Sequence, residues 1–203
     1  MLPQLPHWQN KSRTERLFDM VVGSAWAAYA ILYVVSVLEG GALTNLGLFF
    51  FYTLVAFLFL ARRPARRGAP WWQTAVAAID ALWPILWLRP AVHGYSAGQI
   101  IQGLALLLMV SATLSLGFSF GIAPADRGLK TTGTYRVIRH PLYTSELLFY
   151  VGYLLANLSW HNALGLFVSL FLVRLRIYWE ENIIEGYHKY AQTVRWRLLP
   201  HVW

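Results

Sequence analysis

Apolar residues fall into six blocks along the chain, near 17–38, 43–61, 72–88, 98–120, 144–158 and 162–178, with few charges inside them. About 20 apolar residues suffice to cross a hydrocarbon core of about 30 Å, so stretches of this kind read as transmembrane helices. The pattern predicts an all-α fold, a polytopic membrane helix bundle of about six apolar segments. The last two blocks are shorter than the first and fourth and are joined by a polar turn at 157–162 containing Ser159 and His161. They read as a helical hairpin whose length leaves a full crossing open. The first block is longer than a signal-peptide core and is followed by further spans, so it is expected to stay in the mature protein.

Basic residues alternate with these blocks. Counted loop by loop, sixteen of the seventeen Lys and Arg residues fall on one side of a six-span arrangement, and only Arg89 falls on the other. The positive-inside rule then makes the protein multi-pass and integral to the membrane, with both termini and the two long basic loops cytoplasmic. Composition agrees: 57% hydrophobic and 13% charged residues contrast with the roughly 25% charge of soluble domains. A net charge of +8 in such a chain points to loops beside anionic membrane lipid, with no nucleic-acid partner expected. The lack of cysteine excludes disulfides, thiolate metal sites and cysteine nucleophiles, and no metal is expected. No repeat or linker divides the chain, so 1–203 reads as a single membrane domain. It comprises an N-terminal four-helix membrane part over 1–120 and a C-terminal module over 121–203.

Polar chemistry is sparse in the first half, where Asp80 lies inside the third block. A carboxylate there is either functional or a protonated or hydrogen-bonded strut between helices, and the strut is the favoured reading. Ionisable groups concentrate in 121–143 and in the tail from Arg174 to Pro200, which the topology places on one membrane face. A site there would open to a water-soluble cofactor on one side and a membrane lipid on the other. In the first stretch, Gly133 breaks the chain and Pro141 biases His140 toward an extended conformation. Thr144 and Ser145 are candidate caps for the fifth segment, and Glu146 would lie in its first turn. Arg136 and Arg139 could equally snorkel to phosphate head groups. In the second stretch Arg176 and Glu180 share a helix face, and Glu181 lies about 100° round from Glu180. Tyr187, Tyr190 and the basic tail could alternatively form an interfacial belt.

Taken together, RHPLYTS at 139–145, RIYWEE at 176–181, YHKY at 187–190 and VRWRLLP at 194–200 resemble the isoprenylcysteine carboxyl methyltransferase family and related membrane phospholipid methyltransferases. The resemblance spans roughly 115–203. It implies methyl transfer from S-adenosyl-L-methionine without a Rossmann domain, and the chain carries no GxGxxG. It further implies that His140, Tyr143, Tyr135, Glu181 and Tyr187 line the cofactor pocket, at the cytoplasmic face. Arg176 would orient the nucleophile, with Arg139 and Glu180 in support. Ser145 stands where the family has glycine, and the stretch from Glu181 to Tyr187 is shorter than in the eukaryotic enzymes.

An already anionic nucleophile needs placement rather than a base, which suits the planar fork of Arg176 to holding a carboxylate. The acceptor would be a lipophilic substrate from the bilayer, of isoprenylcysteine-carboxylate type or another lipidic molecule. The oligomeric state is not legible. Competing readings are an NADPH-dependent lipid or sterol-like reductase, whose C-terminal module has a similar HisProXTyr turn, and a non-catalytic small transporter or scaffold.

Overall fold

A capping box opens the first helix: Ser12 Oγ accepts from Glu15 N at 3.1 Å while Ser12 N donates to Glu15 Oε2 at 3.2 Å. This satisfies two orphan groups reciprocally. The computed structural model describes residues 7–87 and 97–203, and Arg89, the one cation expected on the far side, lies outside them, as does the last residue of the third block. Each of the six apolar blocks forms a helix: α1 (Arg13–Leu38), α2 (Thr44–Ala61), α3 (Trp71–Trp87), α4 (Ala97–Leu116), α5 (Pro141–Ala156) and α6 (Trp160–Ile183). A short seventh, α7 (Tyr187–Thr193), follows in the tail. The fold is an all-α membrane bundle.

Helix length separates two groups. α1, α2, Ala97–Ser119 and α6 are long and apolar enough to cross a membrane. α5, with 16 residues, reaches only about 24 Å at 1.5 Å per residue, short of a core of about 30 Å, and α3 is described over 17 residues. The last two segments are therefore unequal, since α6 has 24 residues and continues without a break through Arg174 to Glu181. Ser159 caps it by accepting from Asn162 N at 3.1 Å.

α1 packs on α2, α4 on α5, α2 on α4, and α6 lies against α5 and α3. Between α1 and α2, Trp26 stacks on Tyr52 at 5.1 Å, and the hydroxyls of Tyr29 and Tyr33 lie 3.0 Å apart. The α4–α5 crossing is tighter. A Cβ on Gly98 would sit 2.4 Å from Gly152 O, and one on Gly152 would sit 2.7 Å from Gly98 O. Backbone meets backbone there, so only glycine fits; the close approach sits at Gly152 and not at the Ser145 position.

The basic loops after α2 and α4 meet at one end of the bundle. Two short strands, β1 (Arg67–Gly68) and β2 (Ala125–Asp126), pair antiparallel with Arg67 opposite Asp126. Arg63 N also donates to Phe118 O at 2.8 Å. The tail joins the same end, where Arg139 N and His140 N donate to Trp196 O and Arg197 O at 2.8 and 2.9 Å.

Overpacking a glycine contact of this kind costs about 1–3 kcal/mol. Gly152→Val should accordingly lower the thermal unfolding midpoint in detergent, whereas Gly103→Ala, whose added methyl meets nothing within 4 Å, should hold or raise it. Equal midpoints for wild type and Gly152→Val would show that the α4–α5 crossing is loose.

Candidate functional site

Gly133 has a φ of +62°, which a side chain resists, and it opens the 3-10 turn Gly133–Arg136 that leads into the RHP segment. Pro141 occupies the first turn of α5 and His140 is the residue before the helix, with φ −129°; proline suits that position because its missing N–H has no partner to lose. The helix thus begins three residues before the predicted start. Thr144 and Ser145 do not cap it: their hydroxyls donate back to His140 O and Leu142 O, at 3.1 and 2.7 Å. Glu146 consequently sits in the second turn rather than the first, and Tyr150 OH donates to it at 3.5 Å.

The acidic pair on α6 divides its work. Glu181 is a hub whose Oε1 and Oε2 each accept from Arg197 at 2.9 Å, a bidentate pairing that fixes orientation as well as charge. The same Oε1 lies 3.3 Å from both Arg139 Nη1 and His140 Nε2, and accepts from Tyr187 OH at 3.2 Å. Arg139 is therefore engaged within the protein rather than snorkelling to head groups. Glu180 turns the other way, accepting from Tyr143 OH at 2.5 Å. His140 is stacked between Tyr143 and Tyr187, at centroid distances of 5.7 and 6.0 Å. Tyr187 and Tyr190 are buried, not a belt, and Tyr190 OH donates to Tyr135 O at 2.6 Å. Burial pushes the Tyr190 phenol up to about 12. Burial first, and then the Glu181 charge, pushes up that of Tyr187. Both remain protonated donors at neutral pH.

Arg176 and Glu180 share a helix face but do not pair. Arg176 Nη1 instead donates to Asp80 Oδ2 at 2.6 Å, Nη2 to Ile122 O at 3.0 Å, and the guanidinium lies 4.7 Å from the Tyr143 ring centre. Asp80 is fully buried. It bonds across from α3 to α6, as the favoured reading of a hydrogen-bonded strut expects, and its partner there is the candidate nucleophile-orienting residue, a cation that needs a counter-ion in a low-dielectric interior. The fork expected to hold a substrate carboxylate is already engaged, which leaves Arg176 Nε without a partner among the described residues.

Two cavities meet at this point. The first, about 740 Å³, is lined by Tyr135, Arg139, His140, Tyr143, Arg176, Glu180 and Tyr187, together with Arg127 and Lys130. The second, about 720 Å³, is walled by apolar and aromatic residues of α1, α2, α4 and α5 such as Trp26, Phe51 and Phe149, with Glu146 as its acid. Gly121, Leu142, Tyr143 and Arg176 line both. Seven of the eight site residues read from the sequence thus surround one cavity, and Glu181 stands behind them, holding His140, Tyr187 and Arg139. Sequence reasoning missed Arg197 and Glu146 and undervalued Asp80. For Asp80 the available signal was that a buried arginine on α6 requires an acid within the membrane.

Residues 94–191 match the family model for phospholipid methyltransferases, a family that includes the isoprenylcysteine carboxyl methyltransferase-like membrane enzymes. No curated protein and no solved structure matches the chain. The matched stretch takes in α4, α5 and α6 and leaves Asp80 and Arg197 outside.

Removing one partner of a buried ion pair costs about 3–5 kcal/mol, because the other is stranded, whereas removing both is often nearly neutral. Asp80→Ala should therefore depress thermal stability in detergent strongly, and Asp80→Ala with Arg176→Met should recover most of the loss. A double variant no more stable than Asp80→Ala alone would break the assigned pairing.

Proposed function

Given a membrane methyltransferase whose residues 94–191 carry the phospholipid methyltransferase domain, we propose that it moves the methyl group of S-adenosylmethionine onto a lipophilic acceptor entering from the bilayer. The observation that carries this reading is the pair of cavities, one polar and one apolar, sharing Tyr143 and Arg176 as a common wall. A soluble donor and a lipid acceptor need such an arrangement, each in a compartment of its own polarity.

The polar cavity fits the donor in chemistry. Glu180 offers a carboxylate for hydroxyl or amino groups. Among the described residues Arg139 Nε and Arg176 Nε are buried donors without partners, ready to meet a ligand's acceptor. His140, Tyr143, Tyr135, Tyr187 and Glu180 would hold the cofactor, with Glu181 fixing the first of these from behind. When bound, S-adenosylmethionine supplies a methyl carbon activated by positively charged sulfur.

The chain's own task is alignment. Methyl transfer is an in-line displacement, in which held orientation can supply about 7–11 kcal/mol of the barrier. Asp80 and Ile122 O fix the guanidinium of Arg176 at the seam of the cavities, where its Nε–H can orient the acceptor's nucleophilic group. An acceptor carboxylate of the isoprenylcysteine kind would share this cation with Asp80; another lipid head-group nucleophile would meet the same donor. The basic end of the bundle faces the cytosol, where the cofactor is supplied.

Incubation of the protein in nanodiscs with methyl-labelled cofactor and a host lipid extract should place label in an organic-soluble product. Saturable binding of NADPH with no labelled lipid would overturn the proposal in favour of a reductase. Arg176→Met made together with Asp80→Asn, so that no buried charge is stranded, should lower turnover by about 100-fold or more with calorimetric cofactor affinity retained. His140→Ala should weaken that affinity by roughly tenfold.

A further inference from the structure

Three cations are buried together where the α1 start, the α2 end and the loop after α4 converge: Lys11, Arg62 and Arg127 are 4%, 3% and 9% exposed. All nine acidic residues of the chain lie within the described residues, and only Asp19 forms an ion pair with any of the three. Asp19 is saturated, with Oδ2 taking Lys11 at 2.8 Å and Oδ1 taking both Nε and Nη2 of Arg62. Lys11 is further satisfied by Leu60 O at 3.0 Å. One face of Arg62 lies on the Phe59 ring at 4.4 Å, and its Nη1 is buried without a partner. Arg127 is held through Nε alone, donating to Arg63 O at 3.2 Å.

The free edges of both guanidiniums flank Gly121. A Cβ at that glycine would lie 2.8 Å from Arg127 Nη1 and 3.3 Å from Arg62 Nη1, so the missing side chain leaves the space between them open. Gly121 and Arg127 also line the polar cavity. Two buried like charges with spare donors and too few acids constitute an uncompensated charge, which a folded protein resolves with a counter-ion.

We propose that Arg62 and Arg127 form an oxyanion seat beside Gly121 at the edge of the polar cavity, taking a carboxylate or phosphate group of a bound molecule. Two sources present such a group there: the amino-acid carboxylate of the cofactor, and the phosphate of an anionic lipid at the membrane surface. The cofactor source rests on the methyltransferase reading, whereas the lipid source does not. Burial, and then the neighbouring Arg62 charge, lowers Arg127 to about 10, the direction expected of a guanidinium awaiting an anion.

The test uses the full-length protein with Arg127→Gln and with Gly121→Ala. The second variant adds only a methyl into the seat, against the movable end of a side chain, at a glycine without left-handed φ, and is expected to fold. Calorimetry with S-adenosylhomocysteine, and with methylthioadenosine, which lacks the carboxylate, reads the cofactor source. Thermal unfolding in phosphatidylcholine nanodiscs, with and without phosphatidylglycerol, reads the lipid source. Affinity for S-adenosylhomocysteine falling roughly tenfold to a hundredfold in both variants, with methylthioadenosine unchanged, supports the seat with the cofactor in it. Loss in both variants of a wild-type stabilisation by phosphatidylglycerol supports it with a lipid in it. If neither changes, the proposal is overturned. Wild type that binds neither nucleoside would count against the methyltransferase reading, and the lipid arm would still decide the seat.

Discussion

A full positive charge stands at the seam between a polar and an apolar cavity because Asp80, three helices earlier, neutralises it. Without the 2.6 Å contact between Arg176 and Asp80, neither group would be tolerated at its depth, since an unpaired ion in a low-dielectric interior loses its hydration with no return. Such a pair adds little net stability against two apolar residues of the same shape. Its value is positional: it fixes a guanidinium where the two cavities meet, and it binds α3 to α6. The C-terminal module therefore cannot assemble its proposed catalytic cation without the N-terminal part.

Glu181 plays the corresponding organising part on the polar side. Its two oxygens gather the side chains of Arg197, Arg139, His140 and Tyr187, drawing the tail, the RHP turn and α7 onto one helix end. Glu180, a single residue earlier, is rotated about 100° and faces the cavity. Adjacent identical residues thus separate into a group that builds the wall and a group that a ligand can meet.

Unequal helices shape the apolar side. α5 falls short of a full hydrocarbon thickness, while α6 runs well past it, so the charged end of α6 reaches the start of its shorter neighbour. The glycine crossing of α4 and α5 brings those two backbones together, and the ladder between β1 and β2 ties the two basic loops beside the site.

Much of this was legible in the linear pattern. The six apolar blocks became six helices, and the two charged stretches proved to touch, as His140 and Glu181 show. Local rules failed where partners are remote. Thr144 and Ser145 look like caps, yet Pro141 starts the helix earlier and moves Glu146 into the apolar cavity. Arg176 and Glu180 have the spacing of a salt bridge, but each finds a better partner on another helix. The sequence by itself determined which residues form the apolar helices and which charges cluster at one end, because transfer free energies and loop charge act residue by residue. Only the tertiary structure decided which acid meets which base, because ion pairing depends on distances between helices, and nothing in the order of the chain prescribes those.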